Sequence, residues 1–240
     1  MTLDVRLFPC LTDNYGLLVR DRDSGRVATI DTPDADAILA ELERSGWGRL
    51  DLVLNTHWHP DHTQGNARLK TETACEIVGP EEVRRVAPID RVVAGGDTVM
   101  LGGTALEVTD TPGHTLGHIV YRSPADAHAF VGDVLFNLGC GRLFEGTPAQ
   151  MWNSLQTLAT WPDETVVWCA HEYTAANARF ALSVDGRPEM AARAAEMFAM
   201  RERGEPTVPT TIGAEKAFNP FLRAADAETF AAVRAAKDVF

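Results

Sequence analysis

The chain has 240 residues, 45% hydrophobic and 23% charged, an ordinary globular composition with enough apolar mass for a substantial core. Its formal net charge of −12 excludes non-specific binding to nucleic acid or to an anionic membrane surface, and no apolar run approaches the ~20 residues of a membrane span. Met1–Arg6 has no basic stretch leading into an apolar one, and Cys10, Cys75, Cys140 and Cys169 form no C-x-x-C pair. A reducing cytoplasm is therefore the expected compartment, with neither a thiolate zinc site nor a disulfide framework.

Three β-rich runs open the chain, at Val5–Phe8, Gly16–Val19 and Val27–Ile30. The gaps between them are too short for helical crossovers, so the strands are expected to be antiparallel. Thr32-Pro33 reads as an N-cap with proline at the first helical position, Ile38, Leu39 and Leu42 give an apolar face, and Gly46 is the stop. Leu50–Leu54 reads as a buried strand, and a helix is expected over about 63–70. A short strand at 76–78 and a brief helix after Pro80 follow. Strands then return at 99–101, 106–109, 119–121 and 130–131. Thr147-Pro148 opens another helix, and Thr165–Cys169 is a last β-branched strand. This order suggests two mixed sheets with helices outside them and not a regular βαβ repeat. Beyond Tyr173 the sequence turns Ala-rich, and 175–182, 190–200 and 227–239 read as helices. The expected division is 1–173 as a catalytic domain and 174–240 as a helical one.

The stretch Thr56-His57-Trp58-His59-Pro60-Asp61-His62 places four metal-ligand side chains within six residues, directly after a strand. In extended chain alternate residues point the same way, so His57 and His59 can face one point. If Pro60 turns the chain into a helix, Asp61 and His62 project from its start. Two histidines and an aspartate suffice for one zinc, and the fourth ligand suggests a second metal. His114, Asp133 and His171 each sit just past the end of an apolar strand, where loops collect at the rim of a scaffold. Any one of them alone reads as a turn residue; the set, in this order, is what carries weight. His118 and His128 read as structural. Asp31, at the end of Val27–Ile30, reads first as a turn cap and second as a residue behind the metal ligands.

This series, H-x-H-x-D-H followed by His114, Asp133 and His171, resembles the ligand set of the metallo-β-lactamase superfamily. The resemblance implies an αβ/βα sandwich of two mixed sheets flanked by helices, an α/β (α+β) fold. It assigns His57, His59 and His114 to a first metal, Asp61, His62 and His171 to a second, and Asp133 as a bridge. Two divalent ions are implied, with zinc the first expectation and iron or manganese also compatible with imidazole and carboxylate donors.

Gly139-Cys140-Gly141-Arg142-Leu143-Phe144-Glu145-Gly146 and His171-Glu172-Tyr173-Thr174 are similar to the glutathione-contacting loops of glyoxalase II, the hydroxyacylglutathione hydrolases. Asn219-Pro220-Phe221-Leu222-Arg223 and Arg234–Asp238 resemble that family's C-terminal helical domain. Arg234 and Lys237 are three residues apart and so share a helical face. With Arg142 they are candidates to bind the anionic end of glutathione, and Tyr173 is a candidate to donate its hydroxyl. Phe144 departs from the family's usual tyrosine, which removes one hydroxyl contact worth ~0.5–1.5 kcal/mol. Cys140 and Cys169 lack a base partner and read as packing residues.

The activity that the resemblance implies is hydrolysis of an S-(2-hydroxyacyl)glutathione, such as S-D-lactoylglutathione, in methylglyoxal detoxification. Glutathione would leave as a thiolate. Asp61 and Asp133 would be the catalytic carboxylates, and the enzyme is expected to be a monomer. Two other readings stay open on the sequence alone. A glutathione persulfide dioxygenase of the same superfamily would consume oxygen, and a non-catalytic metal or thiol-conjugate binder would hold glutathione without turnover.

Overall fold

The computed structural model describes residues 2–240. They form two compact units, one comprising everything up to Asp110 with Gly117–Gly132, the other Thr111–Leu116 with Asp133–Phe240.

The first unit begins with β1 (Leu3–Cys10), β2 (Asn14–Asp21) and β3 (Val27–Ile30), antiparallel as expected. Helix α1 (Ala35–Ser45) then crosses to β4 (Leu52–Leu54), which lies parallel to β3. After α2 (Pro60–Thr63) and α3 (Asn66–Thr73), β5 (Glu76–Gly79) and β6 (Arg91–Val92) extend the sheet in parallel. The order β1-β2-β3-β4-β5-β6 is thus antiparallel at one edge and parallel at the other. Ile38 and Leu42 of α1 and Leu69 of α3 pack with Leu18, Val27, Val53 and Ile77 in one buried cluster. The alternate residues Leu17, Val19, Ala28, Ile30, Leu52 and Leu54 are also buried. A sheet covered on both faces needs continuous apolar strands, and each such side chain buried contributes about 1.5–3 kcal/mol. Four further strands, β7 (Thr98–Leu101), β8 (Thr104–Asp110), β9 (Ile119–Ser123) and β10 (His128–Gly132), form an antiparallel meander.

Two local expectations shift. The N-cap of α1 is Asp34, whose carboxylate accepts from the Ala37 amide, and not Thr32. The Thr32 hydroxyl is drawn elsewhere, to Asn66 Oδ1 at 2.7 Å. The helix expected over 63–70 is two helices, the first starting earlier at Pro60. The break falls at Gly65, whose amide donates to Thr32 O at 3.0 Å; a Cβ there would lie 2.9 Å from the same carbonyl. That close approach requires glycine.

The second unit carries the hairpin β11 (Leu135–Phe136) and β12 (Gly139–Cys140), α4 (Pro148–Ala159), β13 (Val166–Cys169), α5 (Thr174–Val184), α6 (Pro188–Glu202), β14 (Thr210–Thr211), α7 (Ile212–Phe218) and α8 (Ala227–Asp238). Helix α4 opens with a full capping box at Thr147 and Gln150. Strand β14 pairs antiparallel with β13, and α7 follows it; neither has an apolar pattern long enough to read from sequence. Leu138, Ala178, Ala181, Met190, Ala194 and Met197 form the core beneath α5 and α6. Asn219 is fully buried, and its amide donates to Phe136 O at 3.2 Å and Gly139 O at 2.9 Å. The Asn-Pro-Phe segment therefore clamps the β11–β12 hairpin. Buried Glu215 closes the same knot by accepting from Leu138 N at 2.9 Å and Asn219 Nδ2 at 2.8 Å; burial pushes its pKa up.

Candidate metal centre

In the first unit the ligand loop leaves β4 at Asn55, which is fully buried. Its amide donates to His62 O at 2.9 Å, and Tyr121 Oη donates to Asn55 O at 2.9 Å. Pro60 at the first helical position bends the chain so that His62 returns toward the strand end. The hub is Asp31. Its Oδ1 accepts from the Thr56 amide at 2.7 Å, and Oδ2 accepts from Thr56 Oγ1 at 2.8 Å and from His62 Nδ1 at 2.8 Å. With the Thr56 hydroxyl hydrogen donated to Asp31, its oxygen accepts from His57 Nδ1 at 3.0 Å. One carboxylate thus sets the tautomer of two imidazoles, leaving Nε2 of each neutral ring as a lone pair. His57 Nε2 lies 3.0 Å from His59 Nδ1, and His62 Nε2 lies 3.5 Å from Asp61 Oδ2. Asn14 Nδ2 donates to Asp61 Oδ2 at 3.0 Å.

Asp31, expected first as a turn cap, sits at φ +56° and accepts from Thr56 and His62 behind the candidate ligands. Asn14 was missed, since a lone asparagine in a hairpin reads as turn chemistry. His118 packs its ring on His57 at 4.9 Å between centroids, so this histidine lies beside a candidate ligand.

The second unit repeats the logic. His114 Nδ1 donates to Arg142 O at 2.8 Å. A carbonyl only accepts, so Nε2 of the neutral ring is a lone pair, and it faces Asp133 Oδ2 at 3.3 Å. Asp133 Oδ1 lies 3.4 Å from His171 Nε2. The two oxygens of one buried carboxylate therefore face two different imidazoles, as a bridging ligand requires. The His171 ring is fixed by a parallel stack on Tyr173, with centroids 4.6 Å apart, and by the edge of Phe136 at 5.9 Å. Gly141 passes so close that a Cβ would lie 2.0 Å from Asp133 O and 3.0 Å from His114 Nδ1. Gly141→Ala is expected to lower the melting temperature and metal content together, read by calorimetry and elemental analysis; retention of both would refute the close packing.

In each unit a lone-pair nitrogen faces a carboxylate oxygen. Acceptor against acceptor is repulsive, most of all between His114 and Asp133, which are both buried, and a divalent cation relieves it. Imidazole and carboxylate donors fit such an ion.

Residues 18–171 match the metallo-beta-lactamase superfamily, and residues 172–240 match the hydroxyacylglutathione hydrolase C-terminus. Over 98% of both chains the protein is 52% identical to a hydroxyacylglutathione hydrolase of Maricaulis maris. It is 49% identical to that of Erythrobacter litoralis over 99% of this chain and 100% of the relative. The chain belongs to the hydroxyacylglutathione hydrolases of the metallo-β-lactamase superfamily. The fold agrees. The crystal structure of ETHE1 from Myxococcus xanthus superposes with a TM-score of 0.74 at 26% identity, covering 97% of this chain and 90% of that one. That of TTHA1623 in a di-iron-bound form gives a TM-score of 0.66 at 22% identity, with 91% and 99% covered.

The residues that family resemblance singles out for a glutathione conjugate all lie in the second unit. Arg142 is exposed, on the loop whose carbonyl orients His114. Phe144 is 63% exposed, and its ring meets that of His114 edge-on at 5.3 Å. Tyr173 starts α5, half-buried against His171. Lys237 is half-buried and donates to Ala176 O at 3.2 Å. Arg234 does not share its exposure. It is 5% exposed, donates to Cys140 O at 3.1 Å, pairs with Asp238 at 2.9 Å and stacks over Phe221 at 4.9 Å. Three-residue spacing puts both cations on one broad face, but α8 turns the Arg234 edge of it inward. Its guanidinium is engaged in holding α8 to β12. Cys140 and Cys169 are buried, and burial pushes both thiols up to about 12, as suits packing residues.

Proposed function

We propose that this chain hydrolyses the thioester bond of S-(2-hydroxyacyl)glutathione, such as S-D-lactoylglutathione, releasing glutathione and a 2-hydroxy acid in methylglyoxal detoxification. The observation that carries the reading is the Asp133 carboxylate, with one oxygen toward His114 and the other toward His171, in a chain about half identical to named hydrolases along its whole length. His57, His59 and His114 are proposed to hold one divalent ion, Asp61, His62 and His171 a second, and Asp133 both. Zinc is the expected ion in each position, which elemental analysis of the purified protein checks. Residues up to 173 carry the chemistry and 174–240 the recognition of the thiol half. The enzyme acts as a monomer in the cytoplasm; among the described residues no helix is long and apolar enough to cross a membrane.

When bound, the ions supply Lewis acidity to the thioester carbonyl and make a water nucleophilic near neutral pH. The protein's own part is positioning. Asn14 steadies the Asp61 carboxylate, which orients the attacking water. Asp31 holds His62 directly and His57 through Thr56, so donor geometry is set before substrate arrives. The departing thiolate is a good leaving group, and no general acid is needed. Arg142 and Lys237 attract the anionic peptide, which a chain of net charge −12 otherwise repels. Phe144 offers an apolar edge beside His114 in place of a hydroxyl.

The test is turnover of S-D-lactoylglutathione by metal-loaded protein, with Lys237→Ala beside it. Parent activity and a roughly tenfold higher KM in the variant at similar kcat are expected, the size of one partly exposed charged contact. Two bound metals without turnover would sink the assignment. Oxygen consumption with glutathione persulfide, or glutathione binding without turnover, would then mark the two rival readings.

A further inference from the structure

Helix α5 presents more than the start of a recognition site. Lys237 of α8 reaches its backbone at Ala176, with the ammonium 5.4 Å from the centroids of Phe180 and Phe240. Arg179 lies three residues beyond Ala176, one turn along the same side of the helix. It is exposed, and its guanidinium stands 5.8 Å above the Phe198 ring. There it borders a groove of about 570 Å³ between α5 and α6, lined by Ala175, Arg179, Leu182, Phe198, Arg201 and Glu202. The other cation of that groove, Arg201, is committed to the Glu205 carbonyl, with Glu172 at 3.5 Å. No motif of the sequence marks Arg179, and it lies outside every stretch that suggested glutathione.

The charges around Lys237 point the same way. Its pKa is lowered by burial first, then by Arg234, Arg142 and Arg179, with Asp238 opposing. Lys237 thus feels like charges from three arginines in a protein of net charge −12. Their mutual repulsion is unfavourable unless an anion occupies the space between them. Arg234 is turned inward to Cys140 and Asp238, whereas Arg142 and Arg179 are exposed and Lys237 half-buried.

We propose that Arg179 is a specificity-determining residue, its guanidinium binding a carboxylate of the peptide thiol at the mouth of the α5–α6 groove, remote from the thioester. The ligand class is a peptide thiol ending in a carboxylate, seated with its backbone along α5 and its charged end between Lys237 and Arg179. This assignment rests on the proposed hydrolase reading for the identity of the thiol.

The experiment compares the metal-loaded parent, Arg179→Gln and Arg179→Lys on two substrates, S-D-lactoylglutathione and the lactoyl thioester of uncharged N-acetylcysteamine. Arg179→Gln is expected to raise KM for the glutathione thioester roughly tenfold at unchanged kcat. It should flatten the salt dependence of that KM, leave kcat/KM for the uncharged thioester unchanged, and be partly rescued by Arg179→Lys. Equal KM in parent and Arg179→Gln, or equal losses on both substrates, would overturn the proposal. Calorimetric binding of glutathione to the same proteins separates this from the hydrolase reading. If the parent turns over neither thioester yet binds glutathione more tightly than Arg179→Gln does, the hydrolase reading falls and the Arg179 site stands. If the parent does not bind glutathione, the Arg179 site falls.

Discussion

Replacing Asp133 by asparagine is expected to move the stability of metal-free and metal-loaded protein in opposite directions. In the metal-free protein the carboxylate oxygens face His171 Nε2 at 3.4 Å and His114 Nε2 at 3.3 Å, and the latter is a lone pair because Nδ1 donates to Arg142 O. An asparagine amide turns one of these contacts into a donated hydrogen bond, worth about 1 kcal/mol. For a chain of this size that is a rise in melting temperature of about 2–4 °C, measured with chelator present at pH 8, above the ordinary range of an imidazole. In the metal-loaded protein the same change removes the proposed bridging carboxylate, so metals per chain are expected to fall below two and the stabilisation by bound metal to shrink. Activity on the thioester should fall by more than the roughly 10–100-fold that loss of a supporting group brings. Two metals retained with full turnover would contradict the bridging assignment. A fall in stability of the metal-free form would contradict the acceptor-against-acceptor geometry.

Asp31 is the second residue whose replacement should be drastic, and two substitutions separate its two jobs. Asp31→Ala strips the acceptor from the Thr56 amide, the Thr56 hydroxyl and His62 Nδ1, all of them buried. Each such orphaned donor costs about 1–3 kcal/mol, and alanine at φ +56° adds about 1 kcal/mol more. A loss of several kcal/mol, and about 10 °C or more in melting temperature, is expected. Asp31→Asn tolerates the left-handed backbone and keeps one oxygen for Thr56, so most of the stability should remain. Its amide, however, presents a donor to His62 Nδ1. That drives the imidazole to the tautomer with its proton on Nε2, the atom facing Asp61 at 3.5 Å. The expected outcome is a folded protein that has lost its second metal, read by elemental analysis beside the melting curve. If Asp31→Asn keeps two metals, Asp31 is only the turn cap of β3.

What the sequence determined by itself is local. The candidate ligands of the loop fall within six residues of each other, after an apolar strand and across a proline suited to the first turn of a helix. His114, Asp133 and His171 each follow their own strand end. Strand and helix periods are short-range properties, and so the longer strands, the helix start at Thr147-Pro148 and the Gly46 stop were legible. The hydroxyacylglutathione hydrolase family was legible for the same reason, since its motifs are contiguous. The tertiary structure alone decided what depends on partners distant in the chain. Asp31 meets Thr56 and His62, 25 and 31 residues away, and Asn14 meets Asp61, 47 residues away. Arg234 meets Cys140, 94 residues away, and is turned inward although its spacing matches that of an outward cation. Hydrogen-bond partners and burial are fixed by packing between elements, and a one-dimensional pattern carries the period of each element but not which edge of its face another element covers.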